Sequence, residues 1–147
     1  AAAVGELRAG DKRGEVVQWR GATLINDCYN SNPRALDAMV DALMAMPGER
    51  HIVVAGEMLE LGPESEALHA ACGRRMAEQG VTRIVGVRGA AEALVKAARE
   101  AGADAEFVAD AEAAGKWLQA NLREGDAVLL KASRGVKLEQ ALGGLTS

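Results

Sequence analysis

Short apolar runs alternate along the chain with segments whose apolar residues recur at helical spacing. The runs are rich in Val, Ile, Leu and Ala and are predicted to be strands at residues 22–26, 51–55, 83–87, 105–109 and 127–130. The segment after the first run shows the i, i+3, i+4, i+7 spacing of one helical face at Leu36, Met39, Val40 and Leu43. The pattern therefore predicts a repeated strand-and-helix order.

Start and stop signals bound the predicted helices. Asn32 is a favourable N-cap, Pro33 suits the first helical position, and Pro47-Gly48 ends that helix. Gly80 and Gly102 end the next two. The same signals and periodicity place later helices at residues 64–79, 90–101, 110–122 and 136–142.

This order predicts a single α/β domain, residues 1–147, with Rossmann-like three-layer architecture. Strands that alternate with helices form a mostly parallel sheet covered by helices on both faces. Residues 15–19 and 22–25 flank Gly21 like the arms of a hairpin. We therefore expect about six strands, with an antiparallel strand at the N-terminal edge.

Composition removes several classes of function. The chain has a net charge of −4 and only 3% aromatic residues, which argues against nucleic acid as a partner. No apolar run approaches the roughly 18–20 residues that span a bilayer, so no membrane insertion is expected. Cys28 and Cys72 belong to no recognisable disulfide framework, which favours free thiols in a reducing compartment.

Polar loops follow three of the predicted strands, and ligands of open α/β sheets bind at the carboxyl ends of strands. In the first loop, residues 27–33 (DCYNSNP), the Asn and Ser residues could simply cap a helix. Asp27 is harder to explain in that way, because a carboxylate at the end of a buried strand costs free energy unless it binds something. Both interpretations stay open.

The other two loops leave similar alternatives. Lys131 and Arg134 precede a predicted helix N-terminus, which suits an anion, although both could be solvated surface cations. Residues 56–62 (GEMLELG) carry apolar side chains on a loop. These could meet a partner domain or ligand, or could tuck under the sheet.

Several known motifs are missing from the sequence. It contains neither a P-loop, nor a Gly-x-Gly-x-x-Gly turn after a strand, nor a Gly-x-Ser-x-Gly nucleophile motif. His69 and Cys72 form half a metal site at best, so no metal site is assigned. Asp27, Glu57 and Lys131 invite comparison with phospho-accepting receiver domains, but a phosphoacceptor at position 57 would be Asp.

Three segments together resemble the Mur ligases that add D-alanyl-D-alanine. Residues 27–33 are similar to that family's Asp-x-Tyr-Asn-Ala-Asn-Pro signature. Residues 56–62, with His69 and Gly73 downstream, resemble its Gly-Asp-Met-Leu-Glu-Leu-Gly…His…Gly segment. Residues 131–134 (KASR), followed by Leu138-Glu139, resemble its Lys-Gly-Ser-Arg…Met-Glu segment. Order, spacing and strand placement agree from about residue 13 to 142.

The resemblance implies a cytoplasmic ligase of peptidoglycan synthesis that uses ATP and Mg²⁺. This chain would be its third domain, and the family's P-loop lies on the central one. The implied partners are the N-terminal and central domains, UDP-N-acetylmuramoyl-tripeptide and D-Ala-D-Ala. In the family an acyl phosphate forms on the tripeptide carboxylate and the D-Ala-D-Ala amine attacks it. The domain alone would then be inactive, with no catalytic residue of its own.

Motif by motif, the resemblance implies two sets of site residues. The nucleotide-binding residues would be Asp27, Tyr29, Asn30 and Asn32. The substrate-binding residues would be Glu57, Met58, Leu59, Glu60, Lys131, Ser133 and Arg134. Glu57 stands where the family more often has Asp, and Ala132 replaces a Gly, so the fine geometry is expected to differ. Two alternatives remain: a sister Mur ligase with another amino substrate, or a stand-alone α/β module that binds an anion or nucleotide or serves in signalling.

Overall fold

The computed structural model describes residues 15–19, 21–27, 33–58 and 62–131. Its strands are β1 Glu15–Trp19, β2 Ala22–Asp27, β3 Arg50–Gly56, β4 Arg83–Val87, β5 Asp104–Val108 and β6 Asp126–Lys131. Its helices are α1 Pro33–Ala45, α2 Ser65–Gln79, α3 Ala91–Glu100 and α4 Ala111–Asn121, with a 3₁₀ turn Gly62–Glu64 before α2. The predicted helix at residues 136–142 lies outside the described residues.

The strands form one six-stranded sheet in the order β1-β2-β6-β3-β4-β5. β1 pairs antiparallel with β2, and the other neighbouring strands pair in parallel. The predicted mostly parallel sheet and its antiparallel edge strand are therefore confirmed. β6, the last described strand, lies between β2 and β3, so strands that are consecutive in the sequence are separated in the sheet.

The strands are apolar on both faces because helices cover both faces. On one face the strand residues pack with the helices α1, α2 and α3, for example around Val53 and Leu129. On the other face they pack with α4, around Val54 and Leu130. The four strand residues are inaccessible to solvent. This alternation explains why β3 and β6 read as continuous hydrophobic runs.

Local signals act as the sequence predicts. Asp110 caps α4, and its Oδ1 accepts a hydrogen bond from the backbone N–H of Ala113 at 2.8 Å. α2 ends at Gly80, whose φ of 91° is the left-handed conformation that glycine adopts without strain. Such ends orient each helix so that its connection returns to the sheet.

Candidate functional site

The first and last sequence motifs meet at the carboxyl edge of the sheet. Asp27 ends β2 and Lys131 ends β6, and their backbones are paired in the parallel register. Lys131 is also paired with Ala55 of β3, two residues before Glu57. Three segments that are far apart in the sequence therefore start from adjacent strand ends. This edge is where open α/β sheets bind ligands.

Most of the predicted site residues lie beyond what the structure describes. Those outside the described residues are Tyr29, Asn30, Asn32, Leu59, Glu60, Ser133 and Arg134. For Asp27 and Lys131 the structure describes the backbone. Within residues 15–19, 21–27, 33–58 and 62–131, no group of three or more His, Cys, Asp or Glu is placed to hold a metal ion. The assignment of these residues to nucleotide or substrate stays a prediction.

Glu57 fastens the end of β3 to the start of α3. Its N–H donates to the carbonyl of Val87 at 3.0 Å, which extends the pairing of β3 with β4. Its Oε2 accepts from the backbone N–H of Ala90 at 3.0 Å, directly before α3. A helix N-terminus has unpaired N–H groups and a positive dipole end, so it stabilises a carboxylate. Glu57, 22% exposed, fills this position with its own side chain.

The turn that receives Glu57 is tight. Arg88 has a φ of 74°, which is uncommon for a residue with a side chain, and Gly89 has a φ of 53°. The positive φ of Gly89 favours glycine, and a Cβ there would also displace the Glu57 carboxylate. Arg88 Nε lies 3.8 Å from Glu57 Oε1, and the Arg88 side chain is half exposed. Arg88 and Gly89 lie between a predicted strand and a predicted helix, but no sequence signal indicated that they contact Glu57.

Met58 resolves one alternative that the sequence left open. Its side chain is 1% exposed and belongs to the core between the sheet and helices α1 to α3. It therefore tucks under the sheet and does not project from the loop. Its backbone N–H donates to Nε2 of His69 at 2.9 Å. The role of Glu57 and Met58 in substrate binding stays a prediction, and their observed contacts are within the domain.

His69 is completely buried on α2 and uses both ring nitrogens. Since Nε2 accepts from Met58, Nδ1 carries the proton and donates to the carbonyl of Ser65 at 2.7 Å. These hydrogen bonds leave neither nitrogen for a metal. Cys72, one turn later, is a free thiol, as predicted, and its burial raises its pKa to about 12. The residues 69 and 72 are thus core residues.

Gly73 lets α2 and α3 approach closely. A Cβ at this position would overlap the backbone carbonyl oxygen of Leu94 and lie 2.9 Å from its carbonyl carbon. Since Leu94 is in α3, the glycine is required by the distance between the two helices. The downstream His and Gly of the second motif therefore have structural roles. One holds the loop after β3, and the other admits the helix that receives Glu57.

Two curated proteins that are similar to this chain have the same description. A curated relative from Bacillus subtilis (strain 168), a UDP-N-acetylmuramoyl-tripeptide–D-alanyl-D-alanine ligase, is 32% identical over 124 residues, covering 82% of this chain and 27% of the relative. The protein of that description from Mycobacterium bovis (strain ATCC BAA-935 / AF2122/97) is 37% identical over 143 residues, covering 80% and 27%. The chain thus spans about a quarter of these relatives' length.

A solved structure, the MurF ligase from Thermotoga maritima in complex with ADP, superposes with a TM-score of 0.75. Its sequence is 28% identical, and the match covers 90% of this chain and 30% of that one. The model of the family described as "Mur ligase, glutamate ligase domain" matches residues 12–134. The match includes every described strand and helix. The chain therefore belongs to the Mur ligase family, as its glutamate ligase domain.

Proposed function

We propose that this chain is the C-terminal domain of an ATP-dependent ligase that joins D-Ala-D-Ala to UDP-N-acetylmuramoyl-tripeptide. The observation that carries the proposal is the meeting of the three motifs at one carboxyl edge. Asp27, Lys131 and the residues after Ala55 start from neighbouring strand ends there. The two curated relatives, which carry the name of this activity, support the choice of substrates.

The domain would act as the closing half of a cleft. The first motif, with Asp27, Tyr29, Asn30 and Asn32, would face the nucleotide, which supplies the phosphoryl group that activates the tripeptide carboxylate. The complex of the Thermotoga maritima relative with ADP supports a nucleotide in this role. Mg²⁺ would be held mainly by the central domain. We propose that the whole enzyme works in the cytoplasm. No helix in the described part of the chain is long and apolar enough to cross a membrane.

The last motif would bind negative charge. ATP, the acyl phosphate and the carboxylate of D-Ala-D-Ala are all anions, and Lys131 lies at the strand end between Asp27 and Ala55. Cations next to a helix N-terminus favour an anion between them. Closure over the cleft would also exclude water, which would otherwise hydrolyse the acyl phosphate. Since the P-loop lies on another domain, the chain alone would have no ligase activity.

The test is made on the full-length protein that contains this chain. Phosphate release from ATP is measured with UDP-N-acetylmuramoyl-tripeptide, with and without D-Ala-D-Ala, and the product is identified by mass. We expect release that depends on D-Ala-D-Ala and yields the pentapeptide. Absence of release from folded protein under both conditions would refute the proposal, and another required amine would indicate a sister ligase.

Substitutions then test the anion site. We expect Lys131→Ala and Arg134→Ala to lower turnover at least about tenfold, because each removes a charged contact that positions substrate. Lys116→Ala is the matched control, since Lys116 is an exposed cation on α4. Unchanged turnover in both site variants would overturn the anion-site assignment.

A further inference from the structure

Two successive residues of the chain that leaves β3 are bonded to two different helices. Glu57 bonds through its side chain to the N-terminus of α3, and Met58 bonds through its N–H to His69 of α2. We propose that His69 is a positioning residue of the ligase reaction, since it fixes the backbone at the point where the second motif leaves the sheet. This inference rests on the proposed function.

The imidazole is more than a core filler. His69 and Asp126 are the buried polar side chains among the described residues, and His69 bonds to the chain just after the carboxyl end of β3. Asp126 opens β6 at the amino edge. An apolar residue could fill the volume of His69 without the cost of burying two polar atoms. What the imidazole adds is a pair of hydrogen bonds, one of which leaves its own helix for the backbone of Met58.

Within the described part of the chain, that N–H has His69 Nε2 as its acceptor, and Met58, which carries it, is buried. Because a buried donor without a partner is costly, loss of the Nε2 acceptor would force Met58 to move toward water. The movement would reach Glu57, the preceding residue, and with it the hydrogen bond to Ala90. The His69 imidazole therefore maintains the backbone geometry of Glu57 and Met58.

The contacts among the second motif, α2 and α3 form a closed circuit. α2 holds Met58 through His69, Glu57 holds the start of α3, and α3 packs back on α2 where Gly73 meets Leu94. His69 and Gly73 are one helical turn apart, so both contacts come from the same face of α2. These contacts connect Glu57 and Met58 of the second motif to helices α2 and α3. A displacement of about 1 Å at a substrate-positioning residue can cost a hundredfold in rate.

Two amide variants of the full-length ligase separate positioning from packing. The amide of His69→Gln reaches the place of Nε2 and can accept from Met58, whereas that of His69→Asn reaches only the place of Nδ1. We expect kcat of the Gln variant to stay within about threefold of wild type and that of the Asn variant to fall about tenfold or more. His51→Asn is the control, because His51 also bonds a backbone carbonyl, that of Met46, but precedes the buried part of β3.

Equal kcat in the folded Gln and Asn variants would overturn the inference. A second measurement uses wild-type protein: ¹⁵N NMR of the imidazole should show a bare Nε2 and a protonated Nδ1, and the reverse tautomer would also overturn it. If wild type itself shows no release that depends on D-Ala-D-Ala, the proposed function has failed. If wild type is active and the two amides behave alike, only the positioning role has failed.

Discussion

The carboxylate of Asp126 accepts two hydrogen bonds from the guanidinium of Arg50, at 2.8 Å from Nε and 2.7 Å from Nη2. The pair joins the first residues of β3 and β6 at the amino edge, and the carboxylate is 1% exposed. Burial by itself would raise the pKa of Asp126. The hydrogen bonds from Arg50 and from the N–H of Arg123 outweigh it, and the pKa lies below its ordinary value of 3.8.

Asp126→Asn should lower the free energy of unfolding by about 3–5 kcal/mol at neutral pH, because it leaves Arg50 without its buried partner. A depressed carboxyl pKa stabilises the fold above the ordinary value of 3.8, and this stabilisation is lost as pH falls through the lower folded pKa. The difference in unfolding free energy between wild type and Asp126→Asn, measured by urea titration, should therefore become smaller below about pH 4. An equal difference in unfolding free energy at pH 7 and pH 3 would contradict the stabilising role of the ionised Asp126.

Asp104→Asn is the control for that experiment. Asp104 pairs with Arg83, with 3.2 Å between Oδ2 and Nε, but its side chain is 69% exposed. Exposed ion pairs contribute about 0–1 kcal/mol, so this variant should stay within about 1 kcal/mol of wild type.

Gly73→Ala should destabilise the domain by about 1–3 kcal/mol or more, because the added methyl overlaps the backbone of Leu94 and not a movable side chain. Denaturant unfolding measures the loss. Ala71→Ser adds one heavy atom to an exposed position of the same helix and should cost less than about 1 kcal/mol. Equal stability of Gly73→Ala and wild type would mean that α3 can move away from α2 freely.

Glu57→Ala should lower the free energy of unfolding by about 1 kcal/mol, since the N-terminus of α3 loses its acceptor. Glu57→Gln keeps an oxygen for the Ala90 N–H and should recover about half of that loss. Thermal unfolding of both variants and of wild type measures whether stability falls in the order wild type, Glu57→Gln, Glu57→Ala. If Gln were as damaging as Ala, the charge on Glu57 and not the hydrogen bond would carry the stabilisation.

Cys72 should resist thiol reagents while the domain is folded. Burial first, and the nearby Asp37 second, raise its pKa to about 12, and the residue is 2% exposed. At pH 8 very little thiolate exists, and thiolate is the reactive form. In a Cys28→Ser variant, reaction with a disulfide reagent should be about a hundredfold or more slower in buffer than in urea. Equal rates in the two conditions would show that α2 opens readily.

The strands and helices could be predicted because they depend on local signals: the spacing of apolar residues, the helix caps and the glycines. Pro33 and Gly80 mark boundaries that the structure keeps within a few residues. The order of strands could not be predicted, since nothing in the sequence of β6 says that it pairs with both β2 and β3. That pairing is a property of the complete sheet, and it is what brings Asp27 beside Lys131.

The second motif shows the same limit at the level of side chains. The resemblance implied that Glu57 and Met58 bind substrate, which stays a prediction, but nothing in the residue types indicated that Glu57 bonds to Ala90 before α3 or that Met58 enters the core. The partners of these residues, Ala90 and His69, come from later elements. A backbone N–H as a partner leaves no trace in residue type, and the use of the buried His69 depends on a tertiary contact.

The central place of β6 also sets the order in which this domain can be completed during synthesis. Of the described strands, the hairpin of β1 and β2 is synthesised first, yet β6, which lies between β2 and β3, is synthesised last. A nascent chain that ends before residue 126 leaves an unpaired edge on β2 and another on β3, and such edges favour aggregation. The last strand closes both edges and, in the same step, places Lys131 beside Asp27. Among the described elements, β6 thus completes both the sheet and the edge proposed to bind ligand, and a polypeptide truncated before residue 126 lacks both.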